Sequence, residues 1–216
     1  MRTMLAAALL VLACALSGTA GADTPMTRQQ ALQALDHEAA PERGAAVARL
    51  AEVGRMDDAP RVAERLRDTD EGVRDLAGAA LWMIWSRSGD AAIDRLFARG
   101  VGEMGAGRLQ QALATFTQIV RRKPAFAEGW NKRATVLFLL GRDEASLKDC
   151  DEVLRRNPLH FGALSGMAQI HLRRGDAERA LQAWERALHA NPNLPGGPEM
   201  LRLLEEAAQR RAGQRT

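Results

Sequence analysis

The C-terminal half of the sequence predicts an all-α fold, a solenoid built from helix pairs. Two kinds of helix breaker recur there at a spacing of 34 residues. They are Pro124, Pro158 and Pro192, together with Gly107, Gly141 and Gly175. Between the breakers, apolar residues are spaced three and four apart, as on a helix with one buried face. A fixed period of this length is typical of stacked helix pairs.

The composition favours helices and excludes several kinds of chemistry. Hydrophobic residues, many of them alanine, make up 46 % of the chain, and aromatic residues 4 %. Small residues suit the crossings of close-packed helices. The net charge of +3 comes from interleaved acids and bases, without the basic stripe expected of a nucleic-acid-binding protein. Histidines and cysteines do not occur at metal-ligand spacing. We therefore expect no cofactor, no nucleic acid and no enzymatic activity.

The first 22 residues are predicted to be a signal peptide. Arg2 precedes an apolar run over residues 4–16, and Ala20-Gly21-Ala22 is typical of a cleavage site. Export to the bacterial periplasm or secretion would follow. Cys14 offers an alternative, because a cysteine after a short apolar run can be acylated, which would give an outer-membrane lipoprotein. After cleavage at Ala22 the one remaining thiol is Cys150, expected to be a small buried group.

Residues 23–92 carry a fainter repeat of 31 residues, in which 43–46 reappears as 74–77. The acidic run at 68–71 is predicted to be a turn between helices, with Asp70 as the N-cap of the next helix. That helix ends in Leu81-Trp82-Met83-Ile84-Trp85 and is apolar on all sides. We expect it to form the core of the N-terminal half.

The junction between the two periods predicts a continuous superhelix. Adding 31 residues to Val62 and Leu66 gives Ile93 and Phe97, which also begin the first 34-residue repeat. One shared helix would then close the first part and open the second, with no hinge. Residues 195–216 are expected to form a capping helix and a tail, because the last unit of a solenoid needs a polar outer face.

The residues at the repeated positions resemble the tetratricopeptide repeat. In the middle copy they are Trp130, Ala134, Leu137, Gly141, Cys150, Val153, Leu154 and Pro158. The resemblance implies a right-handed α-solenoid with three repeats at 93–126, 127–160 and 161–194. Residues 23–92 resemble the short HEAT-like repeats of bilin lyases and bacterial scaffolds.

The resemblance also implies where a partner binds, because the first helix of each repeat lines the inner curve in this family. On the face rotated away from the packing stripe, neutral polar and apolar residues replace the charges of the outer faces. The candidate groove residues are Asn131, Thr135, Phe138, Ser165, Gln169 and Leu172. Such side chains suit an extended peptide. The basic clamp by which chaperone-binding members hold a terminal carboxylate is missing, since Lys132 and Arg173 are only neighbours of these positions.

These features together predict a non-catalytic, exported interaction scaffold that binds an extended peptide segment of a cell-envelope protein. One alternative is a lipid-anchored envelope assembly factor acylated at Cys14, which would then contact the membrane. A second alternative, implied by the HEAT-like resemblance, is a lyase-type enzyme.

Overall fold

The computed structural model describes residues 25–213, so the predicted signal peptide and Cys14 lie outside the described part of the chain. Residues 25–213 form α-helices, 3-10 turns and loops, without a strand. The eleven α-helices of this range are α1 Arg28–Ala34, α2 Ala40–Val53, α3 Ala59–Glu64, α4 Glu71–Trp85, α5 Ala91–Gly105, α6 Leu109–Arg122, α7 Ala127–Leu139, α8 Asp143–Arg156, α9 Phe161–Arg173, α10 Ala177–Ala190 and α11 Gly197–Gly213. Single 3-10 turns flank α3 at Met56–Asp58 and Arg65–Arg67.

Helices α5 to α10 form three hairpins, α5–α6, α7–α8 and α9–α10, and α11 packs on α10. Each hairpin turns at a glycine with positive φ: 71° at Gly107, 73° at Gly141 and 72° at Gly175. This left-handed conformation is readily available to glycine, which has no Cβ. In each turn the next residue donates its N–H five residues back, as in Arg142 N to Leu137 O at 2.8 Å. The hairpin turns thus recur with the 34-residue spacing of the glycines, and the helix-pair solenoid is confirmed.

The N-terminal helices α1 to α4 pack on one another through α1–α2, α2–α4 and α3–α4 contacts. The Asp70 side chain accepts the N–H of Val73 at 3.0 Å, which confirms it as the N-cap of α4. Arg43 of α2 forms a buried two-pronged ion pair with Asp68, at 2.6 and 2.8 Å, just before this cap. The acidic run is therefore a turn between helices that is tied to α2.

Helix α4 is buried on most of its surface but not on all sides. Leu81, Ile84 and Trp85 are buried, whereas Leu76 and Met83 are 41 % and 48 % exposed. Helix α4 therefore contributes to the core of the N-terminal half as expected, through the faces that α2 and α3 cover, while one apolar face stays exposed.

The N-terminal helices fold back along the edge of the solenoid where the first helices of the pairs begin. Trp82 and Trp85 of α4 pack against His160 and Phe161 at the start of α9, with ring centroids 4.6–5.5 Å apart. Beyond this aromatic cluster, Asn193 Nδ2 donates to Leu66 O at 2.6 Å, although 127 residues separate them.

The fold-back shows that the predicted continuous superhelix is wrong. Ile93 and Phe97 are buried with Phe116 and Phe126, in a cluster confined to the first repeats. The N-terminal helices instead share a hydrophobic cluster with α9, α10 and α11. An apolar face must be buried, but its periodicity does not specify the surface that buries it. Here the C-terminal end of α4 packs against His160 and Phe161 at the start of α9.

Candidate functional site

Five of the six predicted groove residues surround one pocket between α7 and α9, with a cavity of about 200 Å³. Asn131, Thr135 and Phe138 come from α7, and Ser165 and Gln169 come from α9. The sixth, Leu172, does not line the pocket and is 42 % exposed near the end of α9. The pocket is also lined by Ala134, Ser146, Cys150, Gly162, Gly166 and Ile170.

Helix geometry explains why the groove residues meet. Residues 131, 135 and 138 follow the four-then-three spacing that places side chains on one face of a helix. Residues 165 and 169 do the same on α9, one repeat later. The floor stays open because it is built from small residues. A Cβ added at Gly166 would meet nothing within 4 Å, so this position leaves free space in the groove.

The hydroxyl groups of the groove donate to carbonyl oxygens of the helices themselves. Thr135 Oγ1 donates to Asn131 O at 3.0 Å, and Ser165 Oγ donates to Phe161 O at 2.8 Å. Ser146 Oγ, from α8, donates across the floor to Ala134 O at 2.7 Å. Each hydroxyl has one proton and two lone pairs. These oxygens are therefore left with accepting capacity.

The amide of Asn131 has a structural role that the sequence did not indicate. The side chain is 6 % exposed, and its Nδ2 donates to the two carboxylate oxygens of Glu128 at 3.1 and 3.2 Å. Asn131 was expected on a face rotated away from the packing stripe, but it is packed and bonded inside the protein. Gln169 is exposed and makes no hydrogen bond among the described residues, so it is the free amide of the groove.

Glu128 is the centre of a buried polar network beneath the groove. Glu128 and His160 are both fully buried, and His160 Nε2 lies 2.8 Å from the carboxylate. His160 Nδ1 accepts the N–H of Ala163 at 3.1 Å, so the ring proton is on Nε2 and is donated to Glu128. Lys132 Nζ approaches the same carboxylate at 3.1 Å.

The charge state of Glu128 follows from these contacts. Burial opposes ionisation and would raise the pKa of Glu128, but the hydrogen bond from His160 and the charge of Lys132 outweigh it. The pKa of Glu128 consequently lies below its ordinary value. Sequence reasoning missed this network. An available signal was Glu128 itself, a carboxylate in the first turn of a helix that is otherwise mostly apolar.

Cys150 contributes a neutral group to the floor. Burial, assisted by the neighbouring charges of Asp149 and Asp151, raises the pKa of the Cys150 thiol to about 12. The interpretation as a small buried group is confirmed, since 3 % of the residue is exposed.

Aromatic residues lie at both ends of the groove. At one end, a Cβ at Gly162 would collide with the indole of Trp82, so the N-terminal region stands directly against the groove. At the other end, the Arg173 guanidinium lies over the Phe138 ring at 3.9 Å and pairs with Asp143, whose Oδ2 it contacts at 3.1 Å. Both flanking cations, Lys132 and Arg173, are thus already engaged with carboxylates.

The described part of the chain contains neither a cluster of metal-ligating side chains nor a membrane-spanning helix. Across residues 25–213, no three histidine, cysteine or acidic side chains lie together as metal ligands would. Over the same residues, no helix has the length and apolar character needed to cross a bilayer.

Comparison with known proteins gave matches in sequence and in structure. The family model described as Tetratricopeptide repeat matches residues 97–160, 144–198 and 165–211, which together span more than half of the chain. A TPR repeat-containing protein of Rhizobium etli is 38 % identical over 132 residues, or 61 % of this chain. The Hsp70-Hsp90 organizing protein of Triticum aestivum is 27 % identical over 103 residues, or 48 % of this chain. The chain spans 63 % of the first relative and 18 % of the second.

Two solved structures show the same fold. The first TPR of Spaghetti (RPAP3), bound to the HSP90 peptide SRMEEVD, matches with a TM-score of 0.52 and 21 % identity, covering 54 % of this chain and 93 % of that chain. MamA matches with a TM-score of 0.52 and 16 % identity, covering 73 % of this chain and 87 % of that chain.

Proposed function

This chain belongs to the tetratricopeptide repeat family, and we propose that it is a non-catalytic interaction scaffold whose groove between α7 and α9 binds an extended segment of a partner protein. The observation that carries the proposal is the convergence of Asn131, Thr135, Phe138, Ser165 and Gln169 on one pocket. These side chains come from two repeats and line the same pocket.

The size of the pocket supports a peptide rather than a small-molecule ligand. Pockets for small molecules are typically about 300–1,000 Å³. The cavity of about 200 Å³ suits one inserted side chain, with the rest of the segment lying along the groove. Phe138, half-buried at one end of the pocket, offers apolar contact.

The relatives support the same class of ligand. One similar structure carries a bound HSP90 peptide, and one similar protein is named as an organizer of Hsp70 and Hsp90. We propose peptide binding for this chain by analogy. We do not transfer the chaperone peptides themselves, because Lys132 and Arg173 are engaged with carboxylates and do not line the pocket.

We further propose the domain organisation and location on the grounds given by the sequence. Residues 1–22 would be a signal peptide, 23–92 HEAT-like repeats, 93–194 three tetratricopeptide repeats and 195–216 a capping helix with a tail. The partner would then be a cell-envelope protein. Mass spectrometry of the mature N-terminus distinguishes a periplasmic or secreted protein beginning at Asp23 from a lipoprotein acylated at Cys14.

Replacement of Gln169 by alanine tests the groove. Gln169 is exposed and unbonded among the described residues, so Gln169→Ala should leave the melting temperature almost unchanged. Binding should weaken by roughly 0.5–1.5 kcal/mol, the usual contribution of a neutral hydrogen bond. The measurement is crosslinking capture from the native envelope, followed by the affinity of the captured partner at low and high salt. Salt should have little effect, because no charged clamp is involved.

Gln182 provides a matched control for this experiment. It is an exposed glutamine on α10 that lies outside the pocket, so Gln182→Ala should retain full binding. Asn131→Ala is less suitable, because the loss of its bonds to Glu128 would disturb the buried network. Equal capture by wild type and the Gln169 variant would remove the groove as the binding site.

A further inference from the structure

From the hydrogen-bond polarity of the groove, we infer that its partner is an internal, extended segment that donates backbone N–H groups, and that a chain-terminal carboxylate is disfavoured. The inference rests on the proposed function and specifies the ligand that this groove selects. It depends on which hydrogen-bond donors of the lining side chains already donate to other groups of the protein.

Three hydroxyl groups line the pocket, and all three have committed their protons. Thr135 and Ser165 each donate to a carbonyl four residues earlier in their own helices, and Ser146 donates to Ala134 O. A hydroxyl whose proton is used retains only lone pairs for further bonds. Toward a ligand, the half-buried Thr135 and Ser165 oxygens are acceptors, whereas Ser146 is 1 % exposed and belongs to the floor.

The Asn131 amide has the same polarity. A carboxylate accepts hydrogen bonds, so the contacts with both oxygens of Glu128 place the Asn131 nitrogen against that carboxylate. The Asn131 Oδ1 atom is then left on the other side of the amide and makes no hydrogen bond within the described residues. His160 and Lys132 hold Glu128 in place. A reversed Asn131 amide would set its oxygen against this fixed carboxylate, so the observed orientation is favoured.

The groove also lacks charge. Neither a cation nor a carboxylate lines the pocket, and the Cys150 thiol is neutral. A terminal carboxylate entering this groove would lose water and meet the acceptor oxygens of Asn131, Thr135 and Ser165, with Gln169 as the one free amide donor of the lining. Burying a charge without partners is costly. A backbone N–H would instead meet an acceptor.

The spacing of the acceptors fits an extended chain. Residues 131 and 135 are one turn apart, which is about 6 Å along a helix axis. In an extended strand, groups on the same side recur every second residue, about 6.6–6.8 Å apart. A segment lying along α7 can therefore donate every second N–H group, one to Asn131 Oδ1 and the next on that side to Thr135 Oγ1. A side chain on the same segment would enter the cavity of about 200 Å³.

The test uses a random heptapeptide library displayed in two formats, with both ends fused into a carrier loop or with a free C-terminal carboxylate. The full chain is the bait. The groove variant is Thr135→Val combined with Gln169→Ala, and the control combines Thr117→Val with Gln182→Ala, both on other helices and outside the pocket. We expect enrichment of loop-displayed peptides that the groove variant loses and the control keeps.

The hydrogen-bond direction is then measured on the best enriched peptide. Methylation of individual backbone nitrogens should weaken binding about fivefold to tenfold at alternate positions, with little effect between them, since one hydrogen bond contributes about 1 kcal/mol. Amidation of a free C-terminus should leave affinity unchanged or improve it.

The outcomes separate this inference from the proposed function. Enrichment confined to peptides with a free carboxylate, lost by the groove variant, would overturn the inferred polarity while leaving peptide binding in the groove intact. Enrichment that the groove variant does not reduce, or absence of enrichment in either format, would overturn both. Equal effects of methylation at every position would also contradict the alternating donor pattern.

Discussion

Replacing Trp85 by alanine tests whether the N-terminal helices and the repeats are energetically one unit. Trp85 is 2 % exposed, stacks on His160 with ring centroids 4.6 Å apart and contacts Phe161 at 5.0 Å. Truncation of a buried tryptophan costs roughly 3–5 kcal/mol. The ring contacts with His160 and Phe161 contribute to this loss.

The location of the loss is as informative as its size. Removing the indole uncovers His160, which caps α9 by accepting the N–H of Ala163. Urea unfolding should show the reduced stability, and amide hydrogen exchange should accelerate in the first turn of α9 as well as in α4. Met83→Ala is the matched control, because Met83 lies on the same helix but is nearly half exposed, and it should change stability by less than about 0.5 kcal/mol.

Two results would refute this reasoning. One is a loss under about 1 kcal/mol for Trp85→Ala, which would mean that the indole is not buried against the repeats in solution. The other is a large loss confined to α4, with the exchange of residues 160–164 unchanged. In that case the N-terminal helices would be a separate domain that only touches the solenoid.

Three other substitutions or treatments follow from the structure. Phe97→Ala should reduce the free energy of unfolding by roughly 3–5 kcal/mol, with faster amide exchange in residues 91–126; faster exchange in residues 28–85 would instead support the continuous superhelix. Glu128 has a lowered pKa in the folded state, so its contribution is complete above its ordinary pKa of 4.5 and is lost as pH falls through the folded value. The urea unfolding midpoint should therefore fall less steeply with decreasing pH in Glu128→Gln than in the wild type. An equally steep fall in the two proteins would contradict this. Cys150 should resist iodoacetamide at pH 8 in the folded protein and react after denaturation, because its pKa of about 12 keeps it protonated; rapid labelling of the folded protein would disprove the burial of the thiol.

The repeats and the groove positions were predictable because they depend on local chemistry. A helix hairpin needs a residue that adopts positive φ, and the glycines at 107, 141 and 175 meet that need at equal spacing. The family resemblance implies that the first helix of each repeat lines the inner curve, and helix geometry then places Thr135 and Gln169 on the face that borders the groove. The Asp70 cap was predictable for the same reason, since its bond reaches only three residues along the chain.

The fold-back and the role of Asn131 were not predictable, because each depends on contacts between distant residues. The apolar pattern around Trp85 shows that the indole is buried, but it contains no information that His160 is its partner. Ile93 fitted both the 31-residue and the 34-residue period. That fit was not informative, because any amphipathic helix beginning there would place an apolar residue at that position. Asparagine is usually a surface residue, and the burial of Asn131 depends on Glu128, which is held in turn by His160, 32 residues further along the chain.

The contact between Leu66 and Asn193 changes how this solenoid is expected to fold. In an open repeat array each unit touches its neighbours, so unfolding can begin at an end and proceed unit by unit. Here the first and last parts of the described chain are joined across a loop of 127 residues. Closing a loop of that length costs on the order of 4 kcal/mol in chain entropy. The aromatic and polar contacts of the edge offset that cost when they form together, so we expect slower folding and less fraying at the ends than in an open array.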